Sequence, residues 1–391
     1  MVKKSEMSFL RRTTQSAHDM NMENLLSKIL HSGCGERFYR FANADGKIWL
    51  MPAKGLRTAM GLYQPSGRNG KLLKQWFPWL HRLRVVRKVI HAESLLCTLS
   101  QAPRLLLEKL FGTTNLEYAF FCGTPCVHQK ITMQISKEKQ VLGYSKFSEH
   151  DAVIPLFQRE AKMLKELEQA GIRDIPKALY CGSLGNGVWM FVQSTIKTPQ
   201  SKVIHQWTFL HEEFLNNLYQ ATRQYIEFEQ SDFYQRLTEL LAHLDWLPKE
   251  VEEQQVTTAY CRLLKRWQGK RVQFAAYHAD FTPWNMFVEK GRLFVFDWEY
   301  AGRSYPMWLD RYHFFTQTAI FERHWHVEQI LRYIHSEEGA WIQADDYSAY
   351  LMDMIARFTV REQGNVKGDM ALSMQLWNAL LAYLNKHEIV K

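Results

Sequence analysis

With 391 residues, 46% of them apolar and 23% charged, the chain is long enough for two or three structural units with a sizeable core, which excludes wholesale disorder. The net charge of +9 is unevenly distributed: residues 46–92 hold ten Lys or Arg and neither Asp nor Glu, whereas residues 210–255 carry ten acids against three bases. Six scattered cysteines complete no four-ligand zinc site, and no run of eighteen apolar residues or leader pattern occurs, so a cytoplasmic, reducing compartment is expected.

The first 40 residues begin polar, with a short helical pattern over Met22–Leu30. Lys47-Ile-Trp-Leu-Met reads as a strand, and Tyr63 to Gly70 reads as a turn-rich loop. Lys71 to Ala92 alternates apolar residues with bases, and Pro78 is expected to break or kink any helix there. From Asn115 the pattern turns to short strands: Glu117–Cys122, Val127–Ile135 and Val141–Phe147, separated by Gly123-Thr-Pro and Lys137-Glu-Lys. Pro155 to Ala170 has helical period and ends at Gly171. Leu179–Leu184 and Val188–Gln193 form a further antiparallel pair about Gly185-Asn-Gly187, and the chain beyond Ser194 is chiefly helical.

The most informative stretch interrupts that helical half. His278-Ala-Asp280-Phe-Thr-Pro-Trp-Asn285 is followed by Met286-Phe-Val, a turn at Glu289-Lys-Gly291, and a returning strand that ends on Asp297. Phosphoryl transfer from ATP needs one carboxylate to orient the attacking hydroxyl, and an amide with a second carboxylate to hold Mg²⁺ on the phosphates. Asp280 suits the first role, Asn285 and Asp297 the second. Turn residues alone account for the residue types but not for the spacing together with the hairpin.

His278-Ala-Asp280-Phe-Thr-Pro-Trp-Asn285 and Phe296-Asp297-Trp-Glu299 resemble the paired signatures of the aminoglycoside phosphotransferase and choline kinase group. The resemblance spans roughly residues 115–320. It implies an α+β, bilobal protein-kinase-like fold: a small antiparallel-sheet lobe over 111–195 and a mainly helical large lobe over 196–391. Residues 1–110 are then a basic N-terminal extension.

The resemblance also implies Asp280 as catalytic, Asn285 and Asp297 as magnesium ligands, and His278 and Asp310 as supports of the loop. Ala279 departs from the glycine more usual there, which matters only if that position needs a positive φ. In the small lobe, Lys146 would hold the nucleotide phosphates and pair with Glu160 of the next helix. Gly123 and Thr124 stand where the phosphate-covering turn belongs, and Phe191-Val-Gln193-Ser-Thr195 where the chain passes adenine. ATP and Mg²⁺ are the implied cofactors.

The expected acceptor is a hydroxyl of a sugar or glycoconjugate, such as one of surface polysaccharide or lipopolysaccharide metabolism; an aminoglycoside or choline-like amino alcohol is the alternative, favoured by the acidic segment. A reading of another class is an inactive kinase-fold scaffold. The basic segment, with Trp76, Phe77, Trp79 and Leu80 among its cations, suits an anionic membrane or glycan surface first, a plain solvated face second and nucleic acid last. Peripheral attachment to the inner membrane face would follow from the first.

Overall fold

The computed structural model describes residues 17–65, 67–123 and 128–387. It divides into two compact units: Met1–Ala161 with Lys177–Thr198, and Lys162–Pro176 with Pro199–Lys391.

The first unit is built on an antiparallel sheet of β1 (Leu30–Ala42), β2 (Ile48–Pro52), β3 (Glu93–Leu99), β4 (Glu117–Cys122), β5 (Ile131–Lys137), β6 (Gln140–Ser148), β7 (Ala178–Gly185) and β8 (Val188–Ser194). Their order across the sheet is β3-β1-β2-β4-β5-β6-β8-β7. Alternation sends successive side chains to opposite faces. On β4, Tyr118, Phe120 and Cys122 join one core, while Ala119 and Phe121 join another. The first core is covered by α1 (Ala17–Ile29) and α5 (Gln101–Phe111). The second is covered by α2 (Leu56–Ala59), α3 (Arg68–Leu80) and α4 (Arg84–Val89). The first 110 residues therefore supply three strands to the same sheet as β4–β8.

Two hairpins of this unit turn on two residues with positive φ, Glu138-Lys139 (50° and 71°) and Asn186-Gly187 (51° and 78°). Such turns match the strand twist and fix the register. One expectation fails here, and the break expected at Pro78 does not occur there. The strand foreseen over Val127–Ile135 begins at Ile131, and Val127 lies outside the described residues. Pro78 does not end its helix: α3 runs on to Leu80. In a last turn proline forgoes only one intrahelical bond. Phe77, 1% exposed, anchors that turn in the core, and the Arg87 guanidinium donates to the carbonyls of His81 and Arg82 just beyond.

From β6 the chain enters α6 (Ile154–Gln169), whose second half belongs to the other unit. The second unit continues with α7 (Phe209–Thr222), β9 (Gln224–Glu227), α8 (Asp232–Ala242), α9 (Glu253–Trp267), β10 (Arg271–Tyr277), β11 (Met286–Glu289), β12 (Arg292–Val295), β13 (Gly302–Tyr305), α10 (Leu309–Phe321), α11 (Val327–Ile334), α12 (Ala344–Glu362) and α13 (Asp369–Lys386). It is less purely helical than expected, because β9, β10 and β13 form a three-stranded sheet beside the β11–β12 hairpin. These four-to-seven-residue strands carry too little alternation to stand out from the helical pattern around them. The core is centred on α12, buried almost continuously from Tyr347 to Arg357, as a helix with neighbours on every side must be.

Candidate active site

β10 sits in the middle of its sheet and delivers residues 278–285 from a fixed end. The first turn of this loop is gripped by Asp310, in the first turn of α10. Its two carboxylate oxygens accept the backbone N–H groups of His278 (2.9 Å) and Ala279 (3.1 Å). Burial pushes the Asp310 carboxyl up to about 7, against the pull of those two N–H groups and of Arg357. From the other side Arg357 donates to the carbonyl of Ala279 at 2.6 Å and is itself held by Asp353 at 2.7 Å. The Tyr277 hydroxyl completes this buried group by donating to Asp353. Ala279, clamped at both its N–H and its C=O, has φ +69°: the position does require the left-handed region.

Asp280 follows, with its side chain 30% exposed. One carboxylate oxygen accepts from the Asn285 amide at 2.7 Å, and the other faces His313 Nε2 at 3.2 Å. Burial alone would raise this carboxyl, but the hydrogen bond and charge of His313, with His278, bring it below its ordinary value although Asp297 pushes back. His278 is fully buried, which pushes it down to about 4 despite Asp280 and the Phe296 carbonyl. It is therefore neutral at pH 7. Its Nδ1 accepts from the Asp280 N–H at 3.1 Å, so the proton resides on Nε2 and is donated to Phe296 O at 2.9 Å. His313, on α10, is also lowered by burial against the opposing effect of Asp280. Its Nε2–H donates to Asp280, and Nδ1 receives the Tyr350 hydroxyl at 3.4 Å.

The hairpin closes the constellation. β11 and β12 turn through Lys290-Gly291 (φ 50° and 78°), and Phe296 N–H donates to the carbonyl of Asn285 at 3.0 Å. Phe296 is thus bonded to the loop through both its N–H and its C=O, which fixes Asp297 beside Asn285 in the chain path. The returning strand ends at Val295, two residues earlier than expected, because Asp297 itself has φ +70° and leaves the extended conformation. Trp298, fully buried, packs its ring edge against His278 at 4.5 Å and donates to Val295 O.

Asn285 commits its amide nitrogen to both the backbone carbonyl and the carboxylate of Asp280, so its oxygen is the atom it could offer a cation. Oxygens of Asp297 and Glu299 approach within 4.8 Å of each other. Amide and carboxylate oxygens are the hard donors that Mg²⁺ prefers, and no soft ligand stands among them.

In the first unit, Lys146 on β6 meets Glu160 on α6 at 2.6 Å, and both are buried. Gln193, on β8 and also buried, has no hydrogen-bond partner for its Oε1 among the described residues. Gly123 directly follows β4, its carbonyl accepting from Gln129 at 2.6 Å. Thr124 lies outside the described residues.

Sequence reasoning missed His313, Arg357, Asp353 and Glu299. The first had a readable signal: three residues beyond Asp310, it shares a helix face with it. A shelf beside the loop was also missed. Trp284, one residue before Asn285, is 38% exposed and meets the 44% exposed Phe321 edge-on at 6.2 Å. The next residue, Glu322, is paired with His205 at 2.7 Å.

A profile of the phosphotransferase enzyme family matches residues 146–341. Among solved structures, the chain is similar to a thermostable mutant of aminoglycoside phosphotransferase APH(4)-Ia in ternary complex with ADP and hygromycin B, at 12% identity and TM-score 0.49, over 74% of this chain and 100% of that one. It is also similar to choline kinase LicA from Streptococcus pneumoniae, at 17% identity and TM-score 0.46, over 74% and 100%. No curated protein sequence matches it.

Proposed function

The chain belongs to the phosphotransferase enzyme family, and on that footing we propose that it is an ATP- and Mg²⁺-dependent kinase of a sugar or glycoconjugate hydroxyl. The observation that carries the catalytic part is the bond between the Asp280 carboxylate and the Asn285 amide, with His313 on the remaining carboxylate oxygen. Asp280 is ionised, partly exposed and held from two sides, as a group that orients an acceptor hydroxyl and takes its proton must be. Asn285 and Asp297, joined by Glu299, would hold Mg²⁺, which when bound neutralises phosphate charge. Lys146, kept in place by Glu160, is the phosphate-binding cation. The protein contributes alignment and fixed charge rather than covalent chemistry.

The acceptor class rests on the shelf. Exposed aromatic faces beside a catalytic loop offer stacking for the C–H face of a sugar ring, and Glu322 with His205 offers hydrogen bonds to hydroxyls. A cationic acceptor drawn by the acidic segment is less well supported, because many of those acids already have partners. Glu212 faces Arg311, Glu227 faces Arg271, Glu239 faces Arg236, and Asp232 accepts the backbone N–H groups of Arg303 and Ser304.

Thermal stabilisation by nucleotide with and without Mg²⁺, followed by an ATP-consumption screen over sugars, aminoglycosides and choline, tests the proposal. Mg²⁺-dependent stabilisation with consumption on a sugar is the expected result. Consumption on choline or an aminoglycoside alone overturns the acceptor class, and stabilisation without consumption on any acceptor favours a scaffold.

A further inference from the structure

We propose that the outer face of α3 and α4 is a docking surface for an anionic lipid bilayer. The inner face of these helices is accounted for: Leu73, Phe77, Val86 and Ile90 pack into the second core of the sheet. The outer face is apolar as well. Leu72, Trp76 and Trp79 follow one another at i, i+4 and i+7, which aligns them on a single stripe of α3. Leu83 in the connection and Val85 and Val89 on α4 are exposed apolar side chains as well. All six are more than half exposed, Trp79 at 67% and the two valines at 73% each. A short amphipathic helix normally shows water its polar side. A second apolar stripe of this size, on helices already anchored, marks a contact surface.

Charge decides what the stripe contacts. Arg68, Lys71, Arg82, Arg84 and Lys88 flank it, all exposed, and residues 46–92 contain no acid to oppose them. Arg57 lies over the Trp79 ring at 5.6 Å, so a base and an indole already share one spot. Two copies of this face would bring like charges together. Residues 1–16 hold Lys3, Lys4, Arg11 and Arg12 against Glu6, so they carry the same sign as the patch. Nucleic acid would meet the cations but gain nothing from leucine and valine side chains at the centre of the contact. A bilayer bearing anionic headgroups satisfies both halves: cations at the phosphates, indoles at the interface, aliphatic side chains below it. No described helix is long and apolar enough to cross a membrane, so attachment would be peripheral.

Flotation of the full chain with phosphatidylcholine vesicles, with and without phosphatidylglycerol in roughly equal part, tests this independently of any kinase assay. The protein should float with the anionic vesicles, remain below with phosphatidylcholine alone, and be released by high salt. W76S/W79S and K71E/R84E/K88E alter exposed side chains only. Each should keep the parental melting temperature and lose most of the floating fraction. The proposal is overturned if the parent fails to float, or if either variant floats as well as the parent. It is overturned equally if vesicles are ignored while a polynucleotide is bound, or if W76S/W79S abolishes self-association in place of flotation.

Discussion

His313 donates its Nε2–H to one carboxylate oxygen of Asp280 at 3.2 Å, although 33 residues separate them and only packing of α10 against the loop brings them together. This contact overrides the burial that would otherwise raise the Asp280 carboxyl.

Removing that donor should therefore be visible as a change in proton affinity. In His313→Asn the burial remains while the hydrogen bond is weakened or lost, so the Asp280 carboxyl rises. The acid limb of the kcat/KM profile should move to higher pH by about one unit or more, since a hydrogen bond to a charged group contributes roughly 1.5–3 kcal/mol. Because the carboxyl starts below its ordinary value, the raised value still lies under neutral pH, so the loss of kcat should be confined to the acid side and activity at pH 7 and above should change little. A profile that drops uniformly without shifting would assign His313 a packing role only.

His278 makes stability fall on acidification. Its folded value near 4 lies below the ordinary value of 6.5, so the neutral ring is favoured by the fold. Stability is fully present above pH 6.5 and is lost as pH falls toward 4, by about 3 kcal/mol at 1.36 kcal/mol per unit. Asp310 acts with the opposite sign: its folded value near 7 lies above 3.8, so its contribution weakens as pH rises through that window. Comparing the parent with His278→Gln by denaturant melts at pH 7 and pH 4.5 isolates the first effect. The difference between them should shrink at the lower pH; a constant difference would refute a neutral His278.

Ala279 occupies the left-handed region at φ +69° and is 2% exposed. Replacement by glycine relieves about 1–2 kcal/mol of strain. It forfeits about 0.8 kcal/mol of methyl burial and about 0.5–1 kcal/mol of chain entropy. The terms nearly cancel, so Ala279→Gly should melt within a few degrees of the parent. Ala279→Val adds a β-branch where φ is positive and should lose several degrees. Equal melting of the two variants would contradict the strain assignment.

If Trp284 and Phe321 form the acceptor shelf, Phe321→Ala should raise the KM for the acceptor by about fivefold, the loss of roughly 1 kcal/mol of aromatic contact. The KM for ATP should stay at its parental value. A rise in the ATP constant instead would separate the shelf from the acceptor.

How much of this could be read beforehand follows from distance along the chain. Asp280, Asn285 and Asp297 lie within one loop and one hairpin, and a two-residue turn at Lys290-Gly291 dictates their local geometry. Lys146 and Glu160 are 14 residues apart, on a strand and the helix after it, and their pairing too was legible. Arg357 and Asp353 were not: a charged pair in the buried middle of a helix has no visible partner until α12 packs behind the loop and Arg357 reaches Ala279. The strand β2 was read from Lys47-Ile-Trp-Leu-Met, but β1 and β3 were not foreseen. In β1, Gly33 and Gly35 and a register shift between Ser32 and Glu36 interrupt the alternation that marks a strand. Asp297 was expected within an extended strand, and its positive φ could not be foreseen from an aspartate.

If Asp280 is the group that activates the acceptor hydroxyl, nucleotide and metal are held by others and should be indifferent to its loss. Phosphoryl transfer by Asp280→Asn, measured beside Mg²⁺-dependent ATP binding by the same preparation, addresses that role most directly. ATP binding should stay parental while turnover falls by at least about a hundredfold. Turnover at the parental rate in that variant would contradict the role.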